Sequence, residues 1–353
     1  MAATIPSGDR HALPGLRTFA TALFEASGLN ADKAGCVADV LIEADLMGHA
    51  THGLALAPQY LEALANGQMT AEGEPEVVSD RGACVTWRGR RLPGGWLTAR
   101  AVDLAVDRAL QYGIATVVLS DSHHIGALAA YLTRATDRGL MLFIASSVPS
   151  ARGVAPAGGM KPVFTPDPVA AGIPTDGEPM LIDVSASITT LNMTRQLAEA
   201  GEAYPAPWAL DGSGHPTTDP KTVVDQGGAL LTTGGLDHGH KGYGWALMAE
   251  AWSQGLGGYG RADKPTGISL SVFIQAIDPD AFGGRDAYQR QTGWLADACR
   301  ASPPRPGGPL VRVPGQRALQ LKREALDKGV PLSPSIVAGL STWADRLSVP
   351  WAA

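Results

Sequence analysis

Leu16, Phe19, Ala20, Leu23 and Phe24 recur at the three-and-four spacing that lines one face of a helix, and they predict one over Leu13–Ser27. Gly28 follows, a residue suited to the left-handed stop after a helix. Asn30 is placed to cap a second helix, Ala31–Met47, whose Val37, Val40, Leu41 and Ala44 share a face. The segment HATHG, His49–Gly53, breaks the pattern, and a third helix is predicted over Leu56–Ala65, stopping at Asn66-Gly67.

From Glu74 the period changes. EVVSD and ACVTW read as short strands, and Trp96–Tyr112 as an amphipathic helix closed by Gly113. Ile114–Leu119 is a β-branched apolar run that reads as a buried strand, followed by an alanine-rich helix, Ala127–Arg138, and a strand, Leu140–Ser146. Val169–Ile173, Met180–Val184 and Ile268–Ile277 read as strands. Trp245–Gln254, Asp286–Ala301, Gln316–Lys328 and Ser335–Leu347 read as helices. Residues 148–180, 210–220 and 230–244 are rich in proline, glycine and other turn residues and read as irregular. The alternation predicts an α/β (mixed α+β) chain with a mixed sheet layer.

Length and charge narrow this picture. At 353 residues the chain exceeds what one hydrophobic core usually supports, and 45% apolar with 18% charged residues is the balance of a folded globule. A net charge of −6 with no lysine or arginine run argues against a nucleic-acid surface. Cys36, Cys84 and Cys299 are far apart and lack metal or disulfide spacing. No run of about 18 apolar residues exists to span a membrane. The opening MAATIPSGDRHALPG has no apolar core of a secretory leader, so a cytoplasmic protein is expected.

Candidate chemistry gathers at Ile114–Gly126, IATVVLSDSHHIG. The strand delivers His123 and His124 to its carboxyl end just before a helix, where α/β enzymes place their chemistry. Histidine exchanges protons near neutral pH, and His124 is the expected general acid/base. His49 and His52 stand three apart, but no third ligand accompanies them, so no metal is expected. GLGGYG at Gly255–Gly260 matches a dinucleotide fingerprint in letters only, because helix precedes it and strand follows, the reverse of the required order. It reads as a helix stop. HKGYG, His240–Gly244, combines a cation with glycines just before a helix and reads as either an anion cradle or a solvent loop. The G-x-S-x-G and H-E-x-x-H hydrolase signatures are absent.

GHATHG with Tyr60, SHHIG, APAGG, PDPVAAGIP, LIDVSAS, WALDGSGHPTTDP, HKGYGWALM and VPGQ occur in the order of the malate/L-lactate dehydrogenase-like (L-sulfolactate dehydrogenase-like) family, which nearly the whole chain resembles. The resemblance implies a non-Rossmann fold. It implies a helical domain from both chain ends (residues 1–72 plus 302–353) and a central cofactor and substrate domain (73–301). It also implies homodimers with active sites near the subunit interface. Carried over by residue, His124 is the acid/base, His52 a second pocket histidine and Tyr60 a substrate-side group. Ser122, Val148, Ile182, Asp183, Val184, Ser185, His240, Lys241 and Gly242 are implied around NADH or NADPH, and His49 and Leu56 toward a small-molecule substrate.

The departures bear on the substrate. Leu56 stands where the family has the arginine that grips a substrate carboxylate, and leucine cannot imitate a bidentate pair. Val148 replaces a hydroxyl residue, Asn192-Met193 replaces a Gly-Lys pair, and Asp167 replaces an asparagine. The expected function is NAD(P)H-dependent reduction of a ketone or cyclic imine, or the reverse oxidation, on something other than a standard 2-oxo acid. Alternatively the carboxylate sits elsewhere, with Arg152 as its partner. Two other readings stay open: a redox-silent relative using His124 and His52 for acid/base chemistry, and a non-catalytic binding protein.

Overall fold

The computed structural model describes residues 8–351, so the first seven residues of the segment read as leaderless lie outside the described residues. Strand β1 (Arg10–His11) leads into helices α1 (Leu13–Ala26), α2 (Ala31–Leu46) and α3 (Ala57–Ala65). Next come β2 (Glu76–Asp80), β3 (Cys84–Arg88), α4 (Gly94–Tyr112), β4 (Ile114–Ser122), α5 (Ala129–Thr136) and β5 (Met141–Ser147). Then follow β6 (Val169–Ile173), β7 (Met180–Val184), α6 (Leu191–Ala200), β8 (Ala209–Leu210), β9 (Pro216–Thr217), α7 (Lys221–Asp225), β10 (Ala229–Leu230) and α8 (Gly235–Glu250). The chain closes with β11 (Leu270–Ile277), α9 (Arg285–Ala301), α10 (Gln316–Lys328), β12 (Val330–Pro331) and α11 (Pro334–Leu347).

Seven strands form one mixed sheet in the order β2-β3-β4-β11-β5-β6-β7. Only β3 and β4 pair in parallel; every other neighbouring pair is antiparallel, so the sheet is not a doubly wound Rossmann sheet. Both faces are covered. Ala115, Val117 and Leu119 of β4 enter the main core beneath α4, while Val118 faces Phe273 and Ala249 on the other side. Burial on both faces is why β4 reads as a continuous apolar run instead of an alternating one. The chain ends meet: β1 pairs with β12, and α11 packs on α1 and α3. A small sheet, β10-β8-β9, has its own apolar cluster of Val154, Phe164, Tyr204, Leu230 and Ala246.

Local signals explain the helical opening. Asn30 Oδ1 accepts the Lys33 N–H at 2.9 Å, and Gly28 adopts φ +100° after α1. One expectation is corrected. HKGYG does not precede a helix but lies inside α8, which starts at Gly235 and kinks at His238. Glycine disfavours helix, which made the stretch read as a loop. Here it is retained by packing, since a Cβ on Gly242 would fall 2.5 Å from Thr233 N and 2.6 Å from its O. Helix α6, to which the sequence pattern assigns no element, is capped by Thr190, whose side chain accepts the Met193 N–H at 3.1 Å. No helix among the described residues is long and apolar enough to cross a membrane.

Two of the glycines of α8, Gly242 and Gly244, should respond in opposite directions. Gly242→Ala is expected to cost about 1–3 kcal/mol by overpacking against the 233 backbone. A methyl group on Gly244 would meet no atom within 4 Å, so alanine there should gain up to about 1 kcal/mol. Urea unfolding of the two variants checks both signs.

Candidate active site

At the carboxyl end of β4 the chain turns between α4 and α3. Gly94, the first residue of α4, presses on this turn so closely that a Cβ there would lie 2.1 Å from His123 O and 2.5 Å from His124 O. His123 donates its N–H to Leu92 O at 3.2 Å and is fully buried. His124 is directed to the other side. Its Nδ1 lies 2.6 Å from Tyr60 Oη, and the Gly126 N–H reaches the same nitrogen at 3.2 Å, with Gly126 at φ +73°. A backbone N–H can only donate, so this contact favours Nδ1 as acceptor and places the ring proton at Nε2. Tyr60, only 2% exposed on α3, holds the imidazole from behind and stands edge-on to His123 at 5.6 Å.

His52 completes the group. It ends a single 3-10 turn, Ala50–His52; its ring stacks on His124 with centroids 6.2 Å apart, and its Nδ1 meets Thr51 Oγ1 at 2.9 Å. Asp45 of α2 supports this turn from below: its Oδ2 accepts the Leu54 N–H at 2.7 Å, and Gly53 packs directly against the carboxyl.

Burial sets the protonation states. It lowers His124 to about 3, helped by neighbouring His52 and His123, and lowers His123 to about 4. It also lowers His52, with Asp183 acting in the opposite sense. Burial raises the Tyr60 phenol and lifts the Asp45 carboxyl to about 8. At neutral pH the cluster is therefore three neutral imidazoles, a phenol and a largely protonated acid.

Of these groups His52 and His124 border a cleft of about 540 Å³, with Tyr60, His123 and Asp45 behind them off its lining. Of the residues singled out from sequence, His49, His52, Leu56, His124, Val148, Asp183, Val184 and Ser185 line it. Asp183 Oδ2 also accepts the Ala129 N–H at 2.8 Å, which fixes the start of α5 against β7. Ile182 faces a neighbouring cavity of about 420 Å³, which shares His49, Asp183 and Val184 with the cleft. Ser122 is buried and bonds to His123 O at 3.0 Å. The structure does not bring Arg152, His240, Lys241 or Gly242 to the lining: the first three are exposed, and Gly242 is packed on Thr233. The guanidinium at the cleft is instead that of Arg195 on α6, 3.1 Å from Asn192 Oδ1. Thr165, Thr190, Met193, Ile268 and Leu270 also line the cleft without having been singled out as site residues. They come from segments far apart in sequence, and no local motif marks them. Among the described residues no group of three metal-ligating side chains converges.

The likeness extends along nearly the whole length. The family model for malate/L-lactate dehydrogenase matches residues 12–341. The chain belongs to the malate/L-lactate dehydrogenase family. It is 30% identical over 352 residues to hydroxycarboxylate dehydrogenase B of Escherichia coli (strain K12), covering 98% of this chain and 96% of that one. It is 32% identical over 336 residues to the (2R)-3-sulfolactate dehydrogenase (NADP(+)) of Chromohalobacter salexigens, covering 93% and 96% of the two chains. The crystal structure of Δ1-piperideine-2-carboxylate reductase from Pseudomonas syringae pvar. tomato superposes with a TM-score of 0.83 at 25% identity, over 95% of this chain and 100% of that one. Family membership and mixed-sheet fold thus agree with the expectations from sequence.

The Asp45 carboxyl has a consequence for stability. Its folded pKa of about 8 lies above the ordinary 3.8, so the unfolded chain releases this proton first as pH rises. Its contribution to stability therefore falls between pH ~4 and ~8, by up to about 1.4 kcal/mol per pH unit. Asp45→Asn removes that slope. The stability difference between variant and wild type, read from thermal melts, should grow in the variant's favour from pH 4.5 to pH 7.5.

Proposed function

We propose that the protein is an NAD(P)H-dependent oxidoreductase that reduces a ketone or cyclic imine, or oxidises the matching alcohol or amine, and that its substrate lacks the 2-oxo-acid carboxylate grip. The observation that carries this reading is a neutral His124, held at Nδ1 by Tyr60 and Gly126, in a cleft that Leu56 lines; that an arginine would stand at position 56 in the family is what the resemblance implies.

The lining fits a nicotinamide cofactor in its donor set. Leu128, Val148, Ile268 and Leu270 offer apolar surface to a planar ring, and Thr190, Asn192 and Arg195 at the start of α6 offer hydrogen bonds and one cation to phosphates. The bound cofactor supplies or accepts the hydride. The protein's residues manage the proton. With Nδ1 engaged, Nε2–H is the ring donor left to hydrogen-bond a substrate oxygen or nitrogen as negative charge builds. It can give up that proton only as the Tyr60 hydroxyl passes its own to Nδ1, which leaves the ring neutral and the phenol to be reprotonated before the next turnover. The Tyr60 hydroxyl can turn to accept Nδ1–H when Nε2 must act as base in the oxidative direction. His52, stacked beside His124, bounds the substrate's position, and the apolar lining excludes water from the reacting atoms.

Two further features belong to this reading. A homodimer is supported by the apolar surface that α8 leaves uncovered, Trp245, Leu247 and Met248 being 46%, 50% and 39% exposed. A cytoplasmic setting is supported by three unpaired cysteines.

Fluorescence titration with NADH and NADPH, followed by turnover of a panel of 2-oxo acids, uncharged ketones and cyclic imines, tests the proposal. Binding of at least one cofactor and preference for ketones or imines are expected. No binding at millimolar cofactor overturns hydride transfer, and preference for simple 2-oxo acids overturns the role given to Leu56. His124→Ala should lose about 10²–10⁴-fold in kcat while still binding cofactor. Leu56→Arg should raise kcat/KM for a 2-oxo acid by about tenfold or more, as expected of a new charged hydrogen bond. In the oxidative direction the base stays unprotonated down to its depressed pKa of about 3, so the acid limb of the kcat/KM profile should lie well below pH 6.

A further inference from the structure

Thr165, which lines the cleft, and Asp167, which lies behind the lining, are on the stretch that enters β6. Asp167 adopts φ +43°, a left-handed conformation in which asparagine and aspartate are enriched, and its side chain has no exposed surface. Thr165 Oγ1 donates to Asp167 Oδ1 at 2.7 Å and accepts the Val148 N–H at 3.2 Å. Asp167 Oδ2 is buried without a hydrogen bond. Two charged groups face this carboxyl, Glu250 at the end of α8 and Arg261 beyond it. Glu250 already has its counter-charge: Arg261 Nη2 lies 2.6 Å from its Oε1, and Arg261 Nε lies 3.0 Å from both oxygens. The same guanidinium donates to the carbonyls of Pro149 and Ala151, on the segment that carries Val148 and Ala151 into the cleft lining.

Arg261 pairs with Glu250, and no ion pair among the described residues reaches the buried Asp167 carboxyl beside them, so a negative charge there would have no partner of its own. One proton must be kept. Glu250, gripped by Arg261, is the carboxylate; Asp167 is left with the proton, its affinity for it raised by burial first and by Glu250 next. A protonated carboxyl has one donor and one acceptor, the hydrogen-bonding pattern that the amide of an asparagine would present in the same place.

We propose that Asp167 acts as a neutral carboxylic acid and is a positioning residue: through Thr165, and beside the Glu250–Arg261 pair, it holds residues 147–151 in place as a wall of the cleft. Loss of its proton sets two negative charges against each other and draws Arg261 away from the Pro149 and Ala151 carbonyls. The wall then loosens as pH rises through that deprotonation. Only the consequence for cofactor binding rests on the function proposed above.

Infrared spectroscopy of the whole chain labelled with ¹³C-aspartate tests the first part. Asp45 contributes a protonated-carboxyl band of its own at neutral pH, so the Asp167 component is read as the wild-type-minus-Asp167→Asn difference. That component is expected at neutral pH and should be lost at lower pH in Glu250→Gln, which removes the neighbouring charge that raises it. Hydrogen exchange tests the second part. Corrected for intrinsic pH dependence, exchange at 148–151 should accelerate about tenfold as the band disappears, the effect of losing one buried hydrogen bond. Asp167→Asn, scored against its own neutral-pH value, should show no such rise. Over the same range the wild-type cofactor Kd should rise about tenfold and that of Asp167→Asn should stay flat. Absence of a band dependent on Asp167 at pH 7, or a band whose loss leaves exchange at 148–151 unchanged, overturns the proposal. If wild type binds neither NADH nor NADPH, the function proposed above fails, while band and exchange still decide this inference.

Discussion

The 2.6 Å contact between Tyr60 Oη and His124 Nδ1 joins the two parts of the molecule on which the site depends. Tyr60 belongs to the helical opening of the chain; His124 belongs to the turn after β4, the third strand across the seven-stranded sheet. A buried imidazole with no partner at Nδ1 would be free to take either ring orientation and either tautomer. With Tyr60 and Gly126 on that nitrogen, its other edge is presented to the cleft. The fold is consistent with this demand: Gly94 lets α4 press on the His123-His124 backbone, and Asp45 holds the turn that carries His52.

The site is organised by desolvation more than by charge. Burial keeps His52, His123 and His124 neutral and keeps protons on Asp45 and Asp167. Ionised side chains are confined to the edge, with Asp183 tied to the start of α5 and Arg195 on α6. In such surroundings a single fixed cation would dominate substrate choice, because little else competes with it.

Much of this was legible along the chain. β6, β7 and α10 fall where their patterns put them, and β4 was recognisable because an apolar strand buried on both faces carries a strong continuous signal. The motif residues His49, His52 and His124 converge because each sits at the end of a regular element. What was not legible depends on packing between distant segments. Lys241 and its glycines looked like a loop, yet close approach to Thr233 makes them helix. Thr165, Arg195, Ile268 and Leu270 reach the cleft through the sheet order β4-β11-β5-β6-β7, a non-local arrangement that no short spacing encodes. Arg152 was a reasonable cation to consider from sequence, but its side chain is exposed and off the lining.

The central claim is that His124 is a neutral imidazole accepting at Nδ1 and presenting Nε2 to the cleft. Nitrogen NMR of the ¹⁵N-histidine-labelled protein, with His124 assigned through His124→Ala, reads both ring nitrogens directly across pH 8 to 5. The expected result is one protonated and one unprotonated nitrogen, unchanged over that range and altered in Tyr60→Phe. A His124 signal that titrates near the ordinary histidine value, indifferent to Tyr60→Phe, would contradict the account.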